Sequence, residues 1–160
     1  MDFGGRYHFA AERPAVWAAL NDTRILAAVI PGCEHLAWTG ANTLALGIKV
    51  NFGLVHPTFA GDLQLSDVHP AERYVLAGRG RGMLGLAQGA AHIRLEDAPD
   101  GGTVLSFTAD GRADGGIMRL GRALIGRSAQ RVIDGFFESI GREMGAIVTA
   151  LSPPDTPQRF

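Results

Sequence analysis

The chain has 160 residues, 46% hydrophobic and 19% charged, which suits one globular domain able to bury a sizeable core. Fifteen basic residues against sixteen acidic ones leave a net charge of −1, so no global field argues for nucleic acid or an anionic membrane. A single cysteine, Cys33, excludes an intrachain disulfide framework and a cysteine-based zinc cluster.

The first residues alternate. Phe3, Gly5, Tyr7 and Phe9 interleave with Gly4, Arg6, His8 and Ala10, the period of a half-buried strand. Glu12-Arg13-Pro14 then opens a helix, with proline near its first turn and Val16, Trp17 and Leu20 on its apolar side. Asn21-Asp22-Thr23 supplies caps for a second short helix, which turns Ile25, Leu26, Val29 and Ile30 inward and stops at Pro31-Gly32. No apolar run exceeds six residues, the length of Ile25 to Ile30, far below the ~20 that span a bilayer. The N-terminus lacks a basic n-region and an apolar h-region, so the expected location is cytoplasmic.

From there to about Ala113 the pattern is all strand. Leu44, Leu46, Ile48, Val50 and Phe52 alternate with smaller or polar neighbours. Val55, Phe59, Leu63 and Leu65 share one face, as do Tyr74, Leu76 and Gly78; Ile93 and Leu95, then Leu105, Phe107 and Ala109, continue the alternation. Turn clusters at Gly40-Ala41-Asn42, 67–71 and 97–102 separate the runs, and no helix intervenes. This predicts an antiparallel sheet of about seven strands.

The spacing of Gly121, Leu124, Ile125, Ser128, Val132, Phe136, Ile140, Met144, Ile147 and Leu151 predicts one long helix from Ile117 to Leu151, on the order of 50 Å. Glycines 121, 126, 135, 141 and 145 interrupt it, each costing up to ~1 kcal/mol against alanine, so packing on the sheet must hold it. Residues 1–151 are thus expected to form a single α+β domain. Residues 152–160 are expected to form a polar, proline-rich, disordered tail.

Strand, two short helices, a run of strands and one long helix make a curved sheet wrapped around that helix. The order resembles the helix-grip fold of the START and birch-pollen-allergen superfamily. Within it, Val16 to Asp22, Ile30-Pro31-Gly32-Cys33-Glu34, Thr58-Phe59-Ala60-Gly61, Leu65-Ser66-Asp67, the glycine-rich stretch Leu76 to Gly89 and Gly135-Phe136-Phe137-Glu138 resemble the G-subunit family of carbon monoxide dehydrogenase over about residues 1–150. That resemblance implies a non-catalytic accessory protein of molybdenum hydroxylases, with membrane recruitment and binding of a quinone-like lipid as family roles. Some members carry a C-terminal membrane-anchoring segment, whereas this chain ends in a polar tail.

The composition is unusual in its 22 glycines, nearly twice the ~7% of ordinary domains. Gly80-Arg81-Gly82-Met83-Leu84-Gly85 matches a dinucleotide fingerprint by letter, but the next residues, Ala87 to Leu95, alternate like a strand, whereas the phosphate mechanism needs a helix N-terminus. Gly78, Gly80, Gly82, Gly85 and Gly89 instead serve bends, a hairpin and unfilled space. Two readings stand: a cavity, or a sheet that merely needs close backbone approach. The cavity reading assigns an apolar lipid-like or quinone-like ligand to Phe59, Leu76, Gly78, Gly80, Gly89, Phe107, Gly121, Leu124, Ile125, Ser128, Val132 and Phe136, with Cys33 at the mouth. Cys33 has no basic sequence neighbour, so an inert small hydrophobe is its ordinary role.

No catalytic residue, metal site or cofactor is assigned. His8, His35, His56, His69 and His92 are scattered, and Ser128 lacks a nucleophile elbow. A polyketide-cyclase-like enzyme remains an alternative on this fold and would need acid or base groups inside the cavity. Residues 112–131 hold five arginines and one acid, a local +4. Arg119, Arg122, Arg127 and Arg131 are therefore candidate contacts for a molybdenum hydroxylase or for lipid headgroups at the inner membrane face; a solvated helix face is the bland alternative.

Overall fold

The computed structural model describes residues 2–49, 54, 56, 58–82, 85–113 and 129–151. Strand β1 (Asp2–Phe9) leads into α1 (Arg13–Leu20) and α2 (Thr23–Val29). Six strands come next: β2 (Cys33–Trp38), β3 (Thr43–Lys49), β4 (Thr58–His69), β5 (Arg73–Gly82), β6 (Gly85–Asp97) and β7 (Thr103–Ala113). Helix α3 (Ala129–Met144) and a short β8 (Val148–Leu151) close the described chain.

The strands form one antiparallel sheet in the order β2-β3-β4-β5-β6-β7-β1-β8. β2 through β7 are a meander of sequence neighbours, which short turns favour. β1 returns beside β7 and is covered on its other edge by β8, so the N- and C-terminal strands pair with each other.

Local chemistry sets the two short helices. Pro14 occupies the first turn of α1, where a missing N–H costs nothing. The Asp22 carboxylate accepts from the Arg24 backbone N–H at 2.9 Å and caps α2. The chain then reverses at Gly32, whose φ of +73° lies in the left-handed region. A Cβ at Gly32 would run into the Lys49 carbonyl, and the Gly32 carbonyl accepts from the Lys49 N–H at 2.8 Å, so glycine lets this turn lie against the end of β3.

One face of the sheet meets the helices. Tyr7, Phe9, Val16, Ala19, Leu20, Leu95, Leu105, Phe137 and Ile140 form the main core. A smaller cluster of Leu44, Leu65 and Tyr74 joins it through Trp17 and Ile93, with the Trp17 and Tyr74 rings edge to face at 5.1 Å. Each such side chain taken fully out of water contributes about 1.5–3 kcal/mol. Thr103 is buried among them, and its hydroxyl donates to the Ala11 carbonyl at 2.7 Å, which satisfies the group.

The predicted helix to Leu151 is corrected at its C-terminal end. Helix α3 stops at Met144, and Val148–Leu151 pair with Arg6–Phe9 of β1, giving eight strands among the described residues rather than about seven. Gly145 takes φ +78° and ends the helix, with the Ala146 N–H bonded to the Gly141 carbonyl at 2.8 Å. Gly141 has no room for a Cβ, because the Val148 side chain packs where it would sit. These two glycines therefore terminate the helix and seat β8. Ile147, placed by its spacing on the apolar stripe, is exposed in the connection. The predicted stretch from Ile117 to Ser128 and the tail 152–160 lie outside the described residues.

Candidate functional site

Cross-strand register places the candidate residues. Directly opposed residues in antiparallel strands share a face, so the ladder can be read in rows across the helix-facing side. The row at the core end is Tyr74, Ile93, Phe107 and Gly5. Next come Leu65, Leu76, Ala91, Ala109 and Phe3. Beyond them lie Leu44, Leu63, Gly78, Gly89 and Gly111, then Leu46, Gly61, Gly80 and Ala87. The last row is Cys33, Ile48, Phe59, Gly82 and Gly85.

Side-chain size falls along this series. Large rings and leucines fill the half beneath α1 and α3, while β5, β6 and β7 carry little but glycine and alanine beyond Leu76. The glycines do not all act alike. A Cβ at Gly61 would meet the Arg79 carbonyl, one at Gly82 the Thr58 carbonyl, and one at Gly89 the Asp110 carbonyl at 2.7 Å. These positions let the strands approach as the sheet coils. Gly80 and Gly111 differ: a Cβ there would make only ordinary contact, at 3.6 Å from the Ala60 carbonyl and 3.8 Å from the Gln88 carbonyl. Close backbone approach thus accounts for Gly61, Gly82 and Gly89, while Gly80 and Gly111 have room for a Cβ.

Among the predicted ligand contacts, Phe59, Leu76, Gly78, Gly80 and Gly89 lie together on this face, with Phe107 where the bare region meets the core. Phe107 stacks on Tyr7 with ring centroids 6.3 Å apart and tilts against Phe137 at 5.5 Å. Phe136 on α3 packs against the same core cluster and touches Phe137 edge to face at 5.1 Å. Cys33 begins β2 opposite Ile48, half-buried, with its Sγ 3.6 Å from the His35 carbonyl, a weak contact. Gly121, Leu124, Ile125, Ser128, Arg119, Arg122 and Arg127 lie outside the described residues, as do the side chains of Arg131 and Val132.

The sequence pattern did not anticipate a polar pair on the helix-facing side. The Tyr7 hydroxyl donates to Asp134 Oδ1 at 2.7 Å, joining β1 to α3 across 127 residues of chain. Tyr7 is fully buried, and Gly5 leaves room for its ring. The signal was present: Asp134 stands three residues before Phe137, and tyrosine replaces phenylalanine at one inward position of β1. A carboxylate accepting from a buried phenol is a charge-assisted bond, shorter and stronger than a neutral one. Elsewhere on this face, burial pushes the Tyr74 phenol well above its ordinary range.

Gly82 and Gly85 form a hairpin end rather than a phosphate cradle, since strand β6 starts at Gly85 and no helix comes after it there. Among the described residues, no three His, Cys, Asp or Glu side chains converge on a possible metal site. No helix among the described residues is long and apolar enough to cross a membrane.

The family profile of the carbon monoxide dehydrogenase G subunit (CoxG) matches residues 5–145. Solved structures with the same helix-grip arrangement include a conserved protein from Geobacillus kaustophilus, with TM-score 0.79 and 23% identity, covering 92% of this chain and 99% of that one. A protein from Chromobacterium violaceum aligns with TM-score 0.66 at 15% identity over 88% and 95% of the two chains. The Zhui aromatase/cyclase from Streptomyces sp. R1128 aligns with TM-score 0.64 at 18% identity over 91% and 93%. At these identities the likeness establishes the fold. No curated protein matches the sequence significantly.

Proposed function

The chain belongs to the CoxG family, the G-subunit family of carbon monoxide dehydrogenase, and from that premise we propose that it is a non-catalytic accessory protein carrying an apolar quinone-like or lipid-like molecule. The ligand lies over the bare part of the helix-facing sheet, against Phe59, Leu76, Gly78, Gly80, Gly89 and Phe107, with Phe136 and Cys33 at its margins. Gly121, Leu124, Ile125, Ser128 and Val132 are proposed as further ligand contacts. The observation that carries this reading is the fall from large side chains to glycine and alanine along one face of β5, β6 and β7. A face without side chains buries little of itself, and an apolar ligand supplies the missing contact area.

The partner is a molybdenum hydroxylase of the carbon monoxide dehydrogenase type. Arg119, Arg122, Arg127 and Arg131 contact that enzyme or anionic headgroups; the local +4 charge in residues 112–131 supports this part. A cyclase-like reaction is the second reading. It is favoured by the Tyr7–Asp134 hydrogen bond, which places a carboxyl group on the helix-facing side of the sheet.

Native mass spectrometry on delipidated protein, with ubiquinone, menaquinone and phospholipid added back, tests the main proposal. One quinone or lipid retained per chain, with saturable binding, is the expected result. An empty protein that takes up none of them removes it. Turnover of a polyketide mimic that disappears in Asp134→Asn would transfer weight to the cyclase reading.

A further inference from the structure

The opposite, solvent-facing side of the sheet carries a pattern that ligand binding does not use. The cross-strand row on β4, β5, β6 and β7 reads Asp62, Arg79, Gln88, Arg112. The next row reads Gln64, Ala77, Ala90, Asp110. Together they line a shallow depression of about 620 Å³. None of their charged or amide side chains has an ion-pair or hydrogen-bond partner among the described residues. Among the described residues, two aspartates and two arginines on neighbouring strands thus stand without an ion-pair partner around two alanines.

Their order is self-complementary. A two-fold axis running along the strands between β5 and β6 exchanges β4 with β7 and β5 with β6. Under that operation Asp62 meets the second copy's Arg112, and Gln64 meets the second copy's Asp110. Arg79 meets the second copy's Gln88, and Ala77 faces the second copy's Ala90. Within these two rows every charged group finds an opposite charge or an amide, the small residues meet at the centre, and each pairing occurs twice by symmetry. The depression holds equal numbers of the two signs, so it does not select a polyanion or a polycation. Two sheets stacked face to face with nearly aligned strands are a standard packing.

The geometry points to a second copy of this chain as the occupant: the protein forms an isologous dimer through the outer faces of β4–β7, leaving the helix-facing side of each copy free. Sedimentation velocity on the full chain over a concentration series reads the association directly. Wild-type protein is expected to sediment as a dimer that weakens with added salt. Asp62→Arg and Arg112→Asp, tested separately, each place like charges together twice, and the dissociation constant rises at least about tenfold. An equimolar mixture of the two variants restores both pairs at once, so a heterodimer forms from two chains that are monomeric alone. That recovery cannot come from misfolded protein, and circular dichroism of each variant checks the fold independently. A wild type that stays monomeric at every concentration overturns the proposal. So does a dimer indifferent to both reversals, or a folded mixture that fails to associate.

Discussion

Gly80 and Gly89 lie on one face of adjacent strands and respond to a side chain in opposite ways. Alanine at Gly80 brings a Cβ 3.6 Å from the Ala60 carbonyl, an ordinary contact, with no unusual backbone angle to strain. Removing the glycine's freedom in the unfolded chain then stabilises by about 0.4–1 kcal/mol. In a chain of this length 1 kcal/mol moves the melting temperature by ~2–4 °C, so Gly80→Ala should melt ~1–4 °C higher. Alanine at Gly89 sets a Cβ 2.7 Å from the Asp110 carbonyl oxygen and 3.3 Å from Gly111 Cα. Both are backbone, so β6 and β7 must separate at a cost of about 1–3 kcal/mol, and melting should fall by roughly 2–12 °C. Differential scanning calorimetry measures both. A larger side chain, Gly80→Leu, projects into the proposed ligand position and should weaken quinone retention at least about tenfold. Equal destabilisation by alanine at the two positions would refute the distinction drawn between them. Undiminished quinone binding by Gly80→Leu would refute the placement of the ligand.

Three more outcomes rest on the same geometry. Tyr7→Phe keeps the ring but deletes the donor to Asp134, a bond to a charged group worth about 1.5–3 kcal/mol, and urea midpoints should fall accordingly with the helix-to-β1 junction exchanging amide protons fastest. Burial raises the Tyr74 phenol, so the folded protein keeps a proton that the unfolded chain releases above about pH 10; stability is full below that pH and declines as it rises, and Tyr74→Phe should flatten the alkaline limb. Asp67 is held below the usual carboxylate range by His69 and then Arg73, and Asp22 by the side chain and then the backbone N–H of Arg24. Their contribution is present above the ordinary carboxylate pKa and is lost as pH falls through the folded values, so Asp67→Asn should shorten the acid limb of a pH–stability profile.

Much of the fold was legible because it is written in local period. The alternation of Tyr7 and Phe9, of Leu63 and Leu65, and of Leu105 and Phe107 predicts strands whose inward residues are those found on the helix-facing side, since the side-chain period of a strand is two whatever it pairs with. Asp22 and Pro14 mark helix starts for equally local reasons. The glycines were harder to read. A missing side chain looks the same in sequence whether it admits a neighbouring strand, as at Gly61 and Gly89, or leaves room for a Cβ at ordinary contact distance, as at Gly80.

The amino-acid sequence by itself therefore determined most of the strands, the two short helices, their inward faces and the family. Tertiary structure alone decided where the last helix ends. Val148 to Leu151 continue a helical spacing, yet β1 offers an unpaired edge within reach once Gly145 turns the chain. Backbone hydrogen bonds to that edge, with Val148 packed against Gly141, outweigh a further helical turn that would have left β1 open. The Tyr7–Asp134 bond and the self-complementary outer face likewise depend on residues far apart in the chain, which only the sheet's register brings together.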